Sequence, residues 1–115
     1  MPLGDHFNRF PKKYIVFGPG PTINYEPADP NIRVRDNFLE IADIPIEPWI
    51  AVDSYAGWFG YLMRNDLLFV KRFPTFPEKM YPDIGAYTVV LWYFEDEMCE
   101  LEPFGPKEIL DPGEV

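Results

Sequence analysis

Residues 57–73 read GWFGYLMRNDLLFVKRF, two apolar runs on either side of the pair Asn65-Asp66. Short runs rich in aromatic and β-branched residues are typical of strands, and an Asn-Asp pair is an acceptable two-residue turn. The stretch therefore predicts a β-hairpin with strands over residues 56–63 and 67–73.

Similar short apolar runs occur along the rest of the chain, and prolines and glycines interrupt them. No stretch of useful length has the period of a helix. We expect an all-β protein, an antiparallel β-sandwich built as one domain over residues 1–115, with residues 1–12 flexible. The further predicted strands are residues 14–17, 32–34 (a short strand or a helical turn), 37–41, 49–52, 87–94 and 98–103.

The predicted strand over residues 87–94 is apolar on both faces, since side chains alternate along a strand. Such a strand has to be central in its sheet and covered on both sides. The chain has few other predicted strands that could cover both faces of this one. We therefore expect either a dimer, an assembly with a partner chain, or a place in a larger sandwich.

Composition narrows the classes of partner. The 115 residues carry a formal net charge of -9, which disfavours nucleic acid and anionic membrane surfaces, because both need a basic face. The aromatic fraction of 17% is high, and aromatic residues dominate both cores and interfaces.

Cysteine and histidine are scarce. With Cys99 as the single cysteine and His6 as the single histidine, the chain has no internal disulfide, and we expect neither a metal site nor a cofactor. No apolar run approaches the ~18 residues of a membrane span, and the N-terminal residues lack a signal pattern. These features together predict a cytoplasmic protein.

Several motifs occur in a fixed order in the second half of the chain. They are residues 57–61 (GWFGY), 68–73 (LFVKRF), 81–83 (YPD), 100–106 (ELEPFGP) and 112–114 (PGE). In this order they resemble the uncharacterised branch of the galactose mutarotase-like superfamily, which is related to aldose 1-epimerases. The resemblance runs from residue 22 to residue 115. It implies a partial or reduced version of that family's large antiparallel sandwich and a carbohydrate-related ligand.

Two departures from the family pattern bear on catalysis. Tyr87 and Val89 stand where family members usually have Asn and Glu, and His6 lies outside the matched region. The resemblance therefore implies a module without the family's polar sugar-gripping pair and without its histidine.

Candidate catalytic residues come from the strand pattern. Glu100 and Glu102 point to the same side of a strand, roughly ~7 Å apart, a spacing that suits an acid and a base in mutarotation. Lys71 is a possible third member. The plainer explanation is a solvated strand face, with Lys71 paired to one of these carboxylates.

Candidate ligand-binding residues are the aromatic and charged side chains of the motifs: Trp58, Tyr61, Lys71, Arg72, Tyr81 and Asp83. Lys71 and Arg72 alternate faces, so they cannot serve one site. Trp92 and Tyr93 are further candidates for stacking on a sugar. Core or interface packing explains the aromatic residues equally well, and turn formation explains Asp83.

Three hypotheses for function follow. The first is a non-catalytic, mutarotase-like module that binds carbohydrate or assembles with another copy or chain. The second is an active carbohydrate epimerase or mutarotase that uses the carboxylates. The third is a truncated structural fragment whose exposed strands pair or aggregate.

Overall fold

The computed structural model describes residues 1, 10–18, 20, 22–81, 87–95 and 98–114, and all regular structure within them is β. His6 and Asp83 lie outside the described residues. The described strands are β1 Tyr14–Phe17, β2 Ile23–Asn24, β3 Ile32–Arg35, β4 Phe38–Ile41, β5 Trp49–Val52, β6 Trp58–Leu62, β7 Leu68–Arg72, β8 Val89–Phe94 and β9 Met98–Pro103.

Five of these strands form one antiparallel sheet in the order β2-β1-β5-β8-β9. Strand β8 is interior, paired with β5 on one side and with β9 on the other. Its side chains Val89, Val90 and Leu91 are buried, which fits the predicted central strand with two covered faces.

A second layer covers one face of the sheet and consists of two separate hairpins, β3–β4 and β6–β7. Ile32, Leu39 and Phe59 of these hairpins join the sheet residues in one buried apolar cluster. Side chains from the sheet and from the two hairpins thus form one core between the layers. The structure confirms the prediction of an all-β, antiparallel, sandwich-like fold.

The opposite face of the sheet is covered by individual side chains from loops. Phe10, Tyr87 and Phe104 pack there against the inner strands. The ring of Tyr87 lies 6.1 Å from Phe17 and 5.5 Å from Phe104 between centroids. Trp49 meets Phe17 at 5.3 Å, so this second core is built largely of aromatic rings.

Three local features differ from the sequence-based expectations or resolve them. Residues 32–35 form a strand rather than a helical turn, and the two-residue strand β2 was not predicted.

The β6–β7 hairpin has a three-residue loop in place of the predicted two-residue turn. Asp66 takes a left-handed φ of 64°, and Met63 N donates to Leu67 O at 2.8 Å. A type I turn followed by a left-handed residue is the usual solution for this loop length.

The chain start contacts the second layer. The amino group of Met1 donates to Leu39 O, and Leu39 N donates back to Met1 O at 2.7 Å. This reciprocal pair occupies the edge of β4 that β3 leaves free, in the manner of a one-residue strand.

Thr88 joins the ends of β5 and β8 through buried hydrogen bonds. Its side chain is 1% exposed, its hydroxyl donates to Ser54 O at 2.6 Å, and the same oxygen accepts from Ser54 N at 2.7 Å. Its backbone N also donates to Val52 O at 3.0 Å. The hydroxyl therefore satisfies two buried backbone groups that lie beyond the β5 ladder.

Thr88→Val should lower the free energy of unfolding by about 1–3 kcal/mol, because it keeps the volume and removes the hydroxyl that bonds two buried backbone groups of Ser54. Urea denaturation followed by circular dichroism measures the change. Thr88→Ser retains the hydroxyl and serves as the control, with a smaller loss. A Val variant as stable as the Ser variant would show that the hydroxyl contributes nothing to the junction.

Candidate functional site

The two hairpins of the second layer leave a cleft between β4 and β6, here called the inter-hairpin cleft. Its apolar half has a volume of about 390 Å³ and its polar half about 370 Å³. Both halves share the side chains of Ile41, Tyr61, Leu62 and Tyr93, so they form one continuous depression. The size falls within the ~300–1,000 Å³ of ligand pockets.

The apolar half lies over the core. It is lined by Trp58, Phe59 and Leu68 of the β6–β7 hairpin and by Leu91 and Leu101 of the sheet, with Met1 and residues 38–41 on the other wall. The rings of Trp58 and Phe38 meet edge to face at 6.0 Å, where the two hairpins touch. Trp58 is therefore held in a fixed orientation at the cleft wall.

The polar half lies under the tip of the β6–β7 hairpin. Charged side chains surround it, with Arg64 from the hairpin loop, Asp43 from the segment after β4, and Glu95 from the end of β8. Tyr93 and Cys99 form its floor. A ligand in the cleft would therefore meet apolar rings at one end and charged hydrogen-bonding groups at the other.

Tyr93 and Cys99 are opposite each other across β8 and β9. Burial raises the pKa of the Tyr93 phenol, and the neighbouring Cys99 thiol raises it further. Burial also raises the pKa of Cys99, against the hydrogen bond from Tyr93, and the Glu100 carboxylate adds to the increase. Both groups are protonated at neutral pH and act as hydrogen-bond donors.

The sequence-predicted ligand residues divide between the cleft and other places. Trp58 and Tyr61 line it, whereas Lys71 and Arg72 do not. The register pairs Lys71 with Phe59 and Arg72 with Trp58, which confirms that the two cations point to opposite faces of the hairpin. Both are exposed.

Tyr81 has a structural position. It is 4% exposed, its hydroxyl accepts from Phe76 N at 3.3 Å, and its ring meets Tyr55 edge to face at 5.9 Å. It holds the loop after β7 against the body of the fold rather than lining the inter-hairpin cleft.

The candidate carboxylates Glu100 and Glu102 lie on the other face of the sheet. Their cross-strand neighbours are Trp92 and Val90, while Leu101 between them faces the core. Burial raises the pKa of Glu102, and the hydrogen bond and charge of Glu100 raise it further, whereas the charge of Lys71 lowers it. Lys71 thus lies near enough to Glu102 for its charge to lower the pKa of that carboxyl, as the predicted pairing expects. The two carboxylates are nevertheless separated from the cleft by the sheet.

Sequence reasoning missed Phe38, Asp43, Arg64 and Glu95 as cleft residues. They come from three separated segments that meet only once the hairpins pack on the sheet. Arg64 could have been suspected from the sequence, because it lies three residues after the candidate Tyr61 and next to the predicted Asn65-Asp66 turn.

Comparisons with known proteins gave no match, whether against family models, curated proteins or solved structures. The resemblance to galactose mutarotase-like proteins therefore stays a prediction. Within the described residues, no helix has the length and apolar character needed to cross a membrane. In the same part of the chain, no three His, Cys, Asp or Glu side chains converge as a metal site.

Alkylation of Cys99 tests the description of the cleft floor. Since burial and Glu100 raise its pKa, the pH profile of iodoacetamide modification should lie at higher pH in the folded chain than in the urea-unfolded chain. Glu100→Gln should move the folded profile back toward lower pH, and Glu108→Gln, an exposed site elsewhere, should leave it in place. A folded profile at or below the unfolded one would contradict the buried, protonated thiol.

Proposed function

We propose that this protein is a non-catalytic, galactose mutarotase-like β-sandwich module that binds a carbohydrate in the inter-hairpin cleft. The observation that carries the proposal is the position of Tyr61 and Tyr93, whose side chains line both the apolar and the polar half. A tyrosine side chain combines an apolar ring with a hydroxyl, so it suits the boundary between an apolar and a polar half.

A sugar ring has the matching chemistry. Its C–H faces are apolar, and hydroxyl groups surround its rim. The C–H face would pack on Trp58, while the hydroxyls would reach Tyr61 and, at the polar half, Arg64, Asp43 and Glu95. Apolar walls with a few placed polar groups are typical of small-molecule sites.

The absence of catalysis is proposed from the positions of the titratable groups. Mutarotation needs one group to accept the anomeric hydroxyl proton and another to protonate the ring oxygen. Asp43 and Glu95 in the polar half can accept a proton, but the carboxylate pair predicted for this chemistry does not line the cleft. Glu100 and Glu102 are on the other face of the sheet.

The expected affinity is low. A hexose has about 12 non-hydrogen atoms, and at ~0.3 kcal/mol per atom the binding free energy is about 4 kcal/mol, which corresponds to a millimolar Kd.

Isothermal titration with galactose, glucose and N-acetylglucosamine tests the proposal. We expect millimolar binding of at least one sugar, weakened about tenfold or more by Trp58→Leu, because a packed aromatic side chain contributes ~1.5 kcal/mol or more through its buried apolar area and ~1.4 kcal/mol is tenfold in Kd. Tyr61→Phe, which removes only a hydroxyl, should weaken binding less. Trp92→Leu removes a ring on the other face of the sheet and is the matched control, with binding unchanged.

If no sugar gave binding heat at a concentration about ten times the expected Kd, carbohydrate binding would be wrong. Equal losses in Trp58→Leu and Trp92→Leu would overturn the assignment to the cleft. Cyclohexanol offers an apolar ring without the rim of hydroxyls. If it bound as tightly as the sugars, the ligand would be apolar rather than a carbohydrate.

An active epimerase is the alternative, and it is favoured by Glu100 and Glu102, which share one face of β9, because Glu100 raises the pKa of Glu102 and two neighbouring carboxylates can divide into an acid and a base. Polarimetry of galactose and glucose mutarotation distinguishes the two functions. Our proposal predicts no acceleration over buffer. An acceleration that is lost in Glu100→Gln or Glu102→Gln would establish the enzyme instead.

A further inference from the structure

Among the described residues, the two layers of the sandwich end in strands that are paired along one edge only, and these strands lie on the same side of the molecule. In the described chain β7 is paired only with β6, and β9 only with β8. Leu68 of β7 and Leu101 of β9 both line the apolar half of the cleft, and Lys71 of β7 acts electrostatically on Glu102 of β9. The residues of β7 and β9 are here called the open side.

Strand β7 is exposed over its whole length. Leu68, Phe69 and Val70 are 62%, 46% and 41% exposed, and Lys71 and Arg72 are exposed as well. Exposed apolar residues on a free edge strand are a template for pairing with another chain, and an isolated two-stranded hairpin is at best marginally stable. This strand is therefore suited to an interface.

The two edges carry opposite charges. Strand β7 ends in Lys71 and Arg72, whereas β9 carries Glu100 and Glu102, in a chain whose net charge is -9. The two carboxylates share one face of β9, and Glu100 helps to raise the pKa of Glu102. An additional cation beside this pair would be favoured by both charges.

We propose that two copies of this chain associate through their open sides, with β7 of each copy against β9 of the other. A two-fold axis through the open side exchanges the layers, so each five-stranded sheet continues into the hairpin of the other copy. Such an interface is isologous and closes on itself as a dimer. The proposal rests on the strand edges and is independent of sugar binding.

The faces of the strands make the arrangement specific. Arg72 shares the outer face of its hairpin with Trp58, opposite the core-facing side of Phe59 and Lys71. Glu100 and Glu102 are on the outer face of the sheet. When the layers are exchanged, the outer faces become continuous, so Arg72 of one copy comes beside the two carboxylates of the other.

Pairing of β7 with β7 is the competing arrangement, and its charges are less favourable. It would place the Lys71 and Arg72 pairs of both copies in one four-stranded sheet and leave both carboxylate pairs without a new cation. Both cation pairs would likewise gain no new carboxylate, so this arrangement forms no new pair of opposite charges.

Light scattering after size exclusion tests the proposal. The wild-type chain should elute at twice the 13.5 kDa of one chain, while Arg72→Glu alone and Glu100→Lys/Glu102→Lys alone should weaken association about tenfold or more and elute near 13.5 kDa. An equimolar mixture of the two variants should recover the dimer, since each of the two contacts between β7 of one copy and β9 of the other then joins opposite charges. Lys12→Glu, an exposed charge reversal away from the open side, is the control and should remain dimeric.

A wild-type chain that stays at 13.5 kDa at every concentration overturns the proposal. So does a dimer that Arg72→Glu leaves intact, or a variant mixture that stays monomeric. Near-ultraviolet circular dichroism checks the fold of each variant. If one fails to fold, the wild-type dimer is measured from ~0.05 to ~0.5 M salt, where screening should weaken a charge-paired interface. An interface that salt leaves unchanged or strengthens overturns the charge pairing.

Discussion

Strand β8 has to bury both of its faces, and the rest of the molecule is arranged around this requirement. Val89 and Leu91 belong to the core beneath the hairpins, and Val90 belongs to the core on the other face. Because the strand is interior to its sheet, each of its backbone groups can pair with β5 or β9 while its side chains exclude water on both sides. The five-stranded sheet is the part of the fold on which everything else packs.

The two faces of that sheet are covered differently, one by two hairpins and the other by single side chains from loops. The candidate functional surfaces lie in the hairpin layer. One face receives two hairpins that are not hydrogen-bonded to each other, and the space between β4 and β6 becomes the inter-hairpin cleft. The same layer stops at β7, whose residues remain exposed. The cleft and the exposed strand β7 are thus two consequences of one incomplete layer, a cavity inside it and an exposed strand at its end.

Much of the fold could be predicted from the sequence, because the strands have strong local signals. The bounds Tyr14–Phe17, Trp49–Val52 and Met98–Pro103 agree with the residues predicted from apolar runs. The strand Ile23–Asn24 has only two residues and forms because Val16 and Phe17 offer it an edge, so no local pattern marks it. The cleft was predictable only in part, since Tyr61 and Tyr93 meet through packing of distant segments.

Carbohydrate binding in the inter-hairpin cleft can be measured through the tryptophan indole signals in a proton–nitrogen correlation spectrum recorded during a galactose titration. The chain has three tryptophans: Trp58 lines the inter-hairpin cleft, while Trp49 and Trp92 lie together on the other face of the sheet. Binding in the cleft predicts a saturable shift of the Trp58 signal, with the other two unmoved. Shifts confined to Trp49 and Trp92, or no shift in any of the three, would contradict carbohydrate binding in the cleft.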